Sequence, residues 1–387
     1  MDNSASTPVS IRQNLRWPVV YCLILSLLAL AIFMSAKQHV VPGLDGPLTF
    51  DGKFYGLIYK QGYQFSGDIE EKRNIAFLPL NAGLIGATDL LTPGNNLFLK
   101  VALFGTLTLF GTLLGVYFVG RDSAGPQAAV IAPALWAFSP MALYNFVGYT
   151  EPVYALLTAW ILLAVHRQRF WLAAIMAGIA LLGRPQAIVL VGFVGVMLFH
   201  QAGWRIGRLL ENNGGWKAAL ALAPLMAYST WLVIRHDDAL VYVHALEAWR
   251  RGSVMDGHLN PVERIGFLFD SIGGGQPHII QWTVMLGTLA LGLVSICFGL
   301  SLAVGRTVRW LYWAMLAFWF GAVSFDVLNA ARHLFYMLPW AVILGGALAH
   351  TKGPLAGKIV LILPWLAIAT VINFHAVMRY YQGLWVS

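Results

Sequence analysis

Charge is scarce in this chain: 11% of its 387 residues are Asp, Glu, Lys or Arg, while 58% are apolar. A soluble domain carries roughly a quarter charged residues, so this chain cannot solvate an ordinary globular surface. Cysteine is nearly absent. Cys22 and Cys297 both lie inside apolar runs, which excludes a secreted disulfide scaffold. There is no Walker A sequence, no Gly-x-Gly-x-x-Gly following a strand, and no Ser or Cys elbow for acyl transfer. Nucleotide cofactors and acyl-enzyme chemistry therefore have no support, and energy for any group transfer would have to arrive with the substrate. No repeat of about 20–50 residues runs along the chain, which argues against solenoids and duplicated transporter halves.

What is present is apolar length. The mean hydropathy is +0.68, and 15 Trp, 14 Tyr and 22 Phe suit a chain with aromatic belts at two interfaces. The run Trp17 to Ser35 follows Arg12 and Arg16 and is too long for a signal-peptide core, so it reads as a retained first helix. Further runs lie near 95–119, 127–147, 150–166, 170–183, 186–200, 216–234, 281–304, 308–328, 333–350 and 357–377. Some are short against the ~17–25 residues of a span, which a bundle tolerates where helices line a cavity. Ile75 to Thr92 is also apolar, but it holds Pro79, Asn81 and Asp89.

Basic loops decide that segment. If it does not cross, Arg121, the cluster His166-Arg167-Gln168-Arg169, Arg205 with Arg208, Arg306 with Arg309, and Lys352 with Lys358 all fall on the N-terminal, cytoplasmic side. If it crosses, all of them flip outward. The expectation is one all-α polytopic domain over 1–387 with about eleven crossings. Residues 1–16 form a cytoplasmic tail, and 37–93 and 235–280 are long outer loops carrying short interfacial helices. The net charge of +8 then reflects basic loops facing anionic lipid, with no nucleic-acid partner.

Candidate chemistry gathers on the outer face. Phe50, Phe54, Leu57 and Ile58 follow helical spacing, which predicts a short interfacial helix with Asp51 in its first turn. Asp51 is either a helix-start anion or a general base at the membrane surface. Asp45, Asp68, Glu70 and Glu71 are rivals, the last three in a solvated charged run. Glu151, after Tyr149 and Thr150, is either a first-turn acid beside Pro152 or a working ionisable group at membrane depth. Arg184 and Arg332 break the basic-loop pattern by lying on the outer side. They are either snorkelling anchors or, together, a bidentate match for phosphate. His236, Asp237 and Asp238 lack a further ligand at a recognised metal spacing, so they read as a solvated turn and no metal site is assigned.

In order along the chain, these residues resemble the GPI mannosyltransferase II (PIG-V-like) family and its bacterial relatives, within the membrane-embedded GT-C glycosyltransferases. The matching pieces are Phe50-Asp51, Gly62-Tyr63, Phe77-Leu78-Pro79, Tyr149-Thr150-Glu151, Arg184, His244 with Trp249, and Arg332-His333 with Pro339. They span residues 45 to 340. The family usually has Trp before the Asp and Ser before the Glu, where this chain has Phe50 and Thr150. The GPI pathway itself is therefore not carried over.

The resemblance implies a GT-C-like bundle and inverting transfer of a hexose, mannose foremost, from a polyprenyl-phosphate sugar to a lipid-linked or envelope acceptor. It makes Asp51 the base and places Arg332 and Arg184 on the departing phosphate. Tyr55, Tyr63, Tyr149, Glu151, His244, Trp249 and His333 would contact substrate. Partners would be the lipid donor, a glycolipid or glycan acceptor and membrane lipids, with no cofactor and metal dependence left open. The setting would be a bacterial inner membrane with the site facing the periplasm or outer side. The rival readings are a transporter or flippase for a lipid-linked saccharide and a non-catalytic partner of an envelope complex.

Overall fold

The computed structural model describes residues 15–43, 46, 48–68, 71–92, 94–246, 248, 277–323, 332, 333 and 337–384, and among them every regular element is a helix. The first six are α1 (Arg16–Gln38), α2 (Phe50–Gln61), α3 (Pro79–Ala87), α4 (Leu97–Ala124), α5 (Pro126–Ala137) and α6 (Glu151–His166). Next come α7 (Phe170–Leu181), α8 (Ile188–Gln201), α9 (Ile206–Glu211), α10 (Gly214–His236) and α11 (Val241–His244). The last four are α12 (Pro277–Leu300), α13 (Arg306–Val323), α14 (Pro339–His350) and α15 (Leu355–Tyr381).

Among the described residues, α1, α4, α10, α15 and the stretch Met285–Ala303 are long and apolar enough to cross a bilayer. The chain is an integral, multi-pass membrane protein. Helices α6, α7, α8 and α14 are apolar but shorter. At about 1.5 Å per residue, the 12 residues of α7 cover roughly 18 Å of a ~30 Å hydrocarbon layer. Their burial explains their survival: Ala173, Ala174 and Ala177 of α7 are fully buried, and α7 packs between α6 and α10.

Small residues set the helix spacing, as they do where apolar tails surround a bundle. Gly115 meets Ala159 of α6, and Gly345 meets Ala132 of α5. Trp136 and Trp340, both buried, sit with ring centroids 6.0 Å apart.

Two boundaries differ from the hydropathy reading. The run 127–147 is not one helix: α5 ends at Ala137, and a 3-10 turn over Ala142–Asn145 follows. Pro140 disfavours helical backbone in the residue before it. Within the run 333–350, α14 starts at Pro339, where the missing N–H costs nothing. The ambiguous 75–92 segment contains a nine-residue α3 flanked by 3-10 turns, which is too short to cross.

Contacts sort the loops to two ends. Arg167 at the end of α6 pairs with Asp122 at the end of α4, 2.8 Å apart. Arg306 at the start of α13 reaches His200 at the end of α8, 3.1 Å away. Lys358 of α15 bonds Gln127 of α5. The opposite end collects α2, α3, the 138–150 connector, Arg184 and Arg332.

Candidate active site

Helix α2 is fixed at its start by a residue from the far end of the chain. The hydroxyl of Tyr380 accepts from the Thr49 N–H at 2.9 Å and donates to the Thr49 carbonyl at 3.0 Å. Phe50, ringed against Tyr380 at 5.9 Å, takes φ +47°, a left-handed backbone that a bulky residue rarely adopts. Asp51 follows at once, so a strained and clamped residue aims its carboxylate. Such outliers persist where surrounding structure over-determines them.

Beneath α2 runs the connector 142–150. Asn81 of α3, fully buried, donates to the Gly148 carbonyl at 2.7 Å. Gly148 has φ +77°, which glycine alone adopts without strain. The connector ends in Tyr149, Thr150 and Glu151, the last being the first residue of α6.

The charges meet here. Arg332 Nε and Nη2 each lie 2.5 Å from Glu151 Oε1, and Nη2 lies 3.1 Å from Asp51 Oδ2. Arg184 Nη1 lies 3.5 Å from the same Glu151 oxygen. Glu151 is fully buried, while the Asp51 side chain keeps 37% exposure. Two guanidiniums thus share one buried carboxylate, and one of them also reaches an accessible acid. Aromatic faces hold both cations: Arg332 lies 4.5 Å from the Tyr149 centroid and 5.0 Å from Tyr144, and Arg184 lies 5.4 Å from Tyr154. His333 Nδ1 stands 3.4 Å from Arg184 Nη2.

Tyr55, one turn past Asp51, is buried against Phe77. Burial, with the carboxylates of Asp51 and Glu151, pushes its pKa far up, so its hydroxyl stays protonated. A cavity of about 40 Å³ opens beside Arg184 and His333, walled by Tyr154, Val189, Met315 and Trp319. Its lining combines the polar groups of Arg184, Gln186 and His333 with apolar side chains. A wider cleft of about 500 Å³ is bordered by Leu48, Lys60, Asn95 and Asn96.

The structure brings Asp51, Glu151, Arg184, Arg332, His333, Tyr55 and Tyr149 into one neighbourhood. Tyr63 borders it, packing in one apolar cluster with Tyr55; its hydroxyl donates to the Phe77 carbonyl at 2.8 Å, and its ring lies 5.7 Å from Trp231. His244, by contrast, pairs with Asp238 at 2.6 Å, beside the turn between α10 and α11. Asp238 also accepts from the Leu240 N–H at 2.8 Å. Partial burial raises the pKa of this carboxylate, but those two partners outweigh it and hold it low. Trp249, like Asp45 and Glu70, lies outside the described residues. Glu71 pairs with Arg73 on the surface. Among the described residues no group of three or more His, Cys, Asp or Glu gathers to hold a metal ion. Tyr144, Tyr154 and Tyr380 carry no signal in the sequence, because their roles depend on cations and backbone brought from remote positions.

No family profile matches the chain. Residues of the chain are 28% identical over 174 residues to GPI alpha-1,6-mannosyltransferase 2 of Cricetulus griseus, covering 43% of this chain and 34% of that protein. They are 26% identical over 208 residues to the Mus musculus protein of the same name, covering 51% and 40%. The chain spans well under half the length of these curated relatives. Its fold is similar to the apo crystal structure of the Archaeoglobus fulgidus oligosaccharyltransferase, with TM-score 0.51 and 14% identity, over 95% of this chain and 56% of that one. At that identity the likeness speaks for the GT-C-like fold alone.

Proposed function

We propose that this chain, a PIG-V-like protein of the GT-C fold, is an inverting glycosyltransferase. It moves a hexose, mannose foremost, from a polyprenyl-phosphate sugar to a glycolipid or envelope glycan on the outer face of the membrane. The observation that carries this reading is the pair of guanidiniums seated on buried Glu151 beside the accessible carboxylate of Asp51. That arrangement offers a base and an anion site a few ångströms apart, as group transfer from a phosphate requires.

Asp51 takes the proton of the acceptor hydroxyl. The acceptor oxygen then bonds to the anomeric carbon from the face opposite the phosphate. The carbon–oxygen bond to phosphate breaks, and its electron pair leaves with the lipid phosphate. Negative charge grows on that phosphate in the transition state, where Arg332 and Arg184 already stand, and pre-placed cations lower such a barrier. The apolar walls beside Arg184 suit a lipid-borne phosphate better than a nucleotide. Tyr55 and Tyr149 supply hydroxyls around the sugar, while Glu151 acts through the arginines. The resemblance also gives Tyr63, His244 and Trp249 to substrate, and they are assigned here to the acceptor.

The test uses full-length protein in nanodiscs with labelled polyprenyl-phosphate mannose and glucose, a nucleotide sugar, and envelope lipid extracts as acceptors. Label moving from a polyprenyl-phosphate sugar to acceptor, with lipid phosphate released, supports the reading. Label moving only from the nucleotide sugar overturns it. So does intact donor crossing between leaflets with no transfer, which is the outcome expected of a flippase.

A further inference from the structure

We propose that Arg332 is a latch on Asp51 that the donor phosphate opens, so that the donor must bind before the acceptor hydroxyl can be deprotonated. The inference rests on the reading above, in which Asp51 is the base and Arg332 a phosphate ligand. It starts from a geometric fact: the base and the phosphate ligand are already paired, Nη2 to Oδ2, at 3.1 Å.

The same guanidinium is held more closely by Glu151, at 2.5 Å. Glu151 is fully buried and sits at the root of α6, so it has nowhere to go. Asp51 is 37% exposed and can turn toward the aqueous side. Tyr149 and Tyr144 hold the guanidinium on its ring faces. Nε and Nη2 are therefore pivoted on Glu151, and the further reach of Nη2 is shared with whichever anion approaches.

While the pair is closed, Asp51 Oδ2 already accepts from the guanidinium and is not free for an acceptor hydroxyl. A phosphate oxygen competes for the same N–H with higher charge and suitable geometry. When it takes that N–H, Asp51 loses its cation and gains an anion for a neighbour. Its oxygen is then free to accept from an acceptor hydroxyl at the moment that hydroxyl needs a base. By linkage, whatever the phosphate spends in displacing Asp51 is returned when Asp51 cannot compete.

The experiment measures binding of polyprenyl phosphate alone to nanodisc-embedded full-length protein, in a cycle of wild type, Asp51→Asn, Arg332→Gln and the double variant. Asp51→Asn is expected to bind polyprenyl phosphate about five-fold more tightly than wild type, the low end of typical coupling for a partly exposed pair. Once Arg332 is gone, the Asp51 substitution should change nothing. Equal or weaker binding by Asp51→Asn overturns the latch. So does an equal gain in the Arg332→Gln background, which would mean plain charge repulsion. If Arg332→Gln does not fold, Arg332→Lys takes its place, and the gain should shrink without changing sign. Failure of the wild-type protein to bind polyprenyl phosphate overturns the proposed function as well, whereas a missing gain removes the latch alone.

Discussion

Gly52 lies against the carbonyl oxygen of Val147 so closely that a Cβ built on it would fall 2.2 Å from that oxygen. From the other side, a Cβ on Gly105 of α4 would fall 2.0 Å from the carbonyl oxygen of Asn145. The connector is thus wedged between two helices that approach it at bare glycines. The wedge sets the distance between Asp51, one residue before Gly52, and Glu151, four residues after Val147.

Gly52→Ala should therefore push α2 away from the connector and open the Asp51–Arg332 pair. A displacement near 1 Å at a reacting group can cost about a hundred-fold in rate, so sugar transfer should fall by at least about ten-fold while the protein still inserts. Gly83→Ala in α3 is the control, because its Cβ would meet nothing within 4 Å. It should raise thermal stability slightly, by up to about 1 kcal/mol, and leave transfer unchanged. Transfer assays beside melting curves in detergent decide both.

Arg332→Lys should impair turnover far more than its kept charge would suggest, and Arg332→Ala more still. Lysine has no planar fork with which to span Glu151 and Asp51, and it stacks less well on Tyr149. Arg184→Lys should do less harm, since Arg184 makes a single longer contact of 3.5 Å to Glu151. Wild-type donor affinity and rate in both Arg332 variants would reduce the residue to a lipid anchor.

Much of this was legible in the sequence, and for identifiable reasons. Arg121, Arg167, Arg306 and Lys358 lie at or near helix ends that flank the apolar runs, so alternation of charge sorts the connections to two ends without knowledge of packing. Local spacing gave α2 its helix. Asp51 and Arg332 are 281 residues apart, and only the order of short motifs in a family resemblance could name them together. Tyr380 and Gly52 had no such cue. One acts through backbone atoms 331 positions away, the other through the absence of a side chain. The same resemblance gives His244 to the substrate, and the structure adds a partner for it in Asp238.

Lys100 of α4 is buried and paired with Asp89, which also accepts from Tyr59 at 2.9 Å. Asp89→Ala leaves the buried ammonium without its counter-charge, with the Thr92 carbonyl at 3.2 Å and the Tyr59 ring remaining, so it should lower the thermal midpoint, with a cost of up to ~3 kcal/mol and less if water reaches the site. Lys100→Met should cost little, because an apolar replacement of similar length removes the charge that needed the partner. Melting curves of the two variants in one detergent test this asymmetry. Equal losses would show that Lys100 draws its stability from elsewhere.

Asp51→Asn is the substitution on which the proposed mechanism stands. The amide keeps the volume of the carboxylate and can still touch Arg332 through its oxygen. Folding should suffer by no more than about 1 kcal/mol, the scale of a lost interaction at a helix start. It cannot, however, take the proton of an acceptor hydroxyl, and removing a general base typically costs a factor of ~10²–10⁴. Asp51→Glu should also be poor, since its carboxylate is moved by a methylene from a position that Tyr380 and the left-handed Phe50 hold in place. Asp68 and Glu71, exposed on the loop that follows α2, should tolerate Asn and Gln with little change. The expected result is an inserted Asp51→Asn protein that binds polyprenyl phosphate and transfers almost no sugar. Wild-type transfer by that variant would make Asp51 a helix-start anion. The base would then have to be sought at another acid, and Glu151, fully buried beneath two guanidiniums, is poorly placed to reach an acceptor.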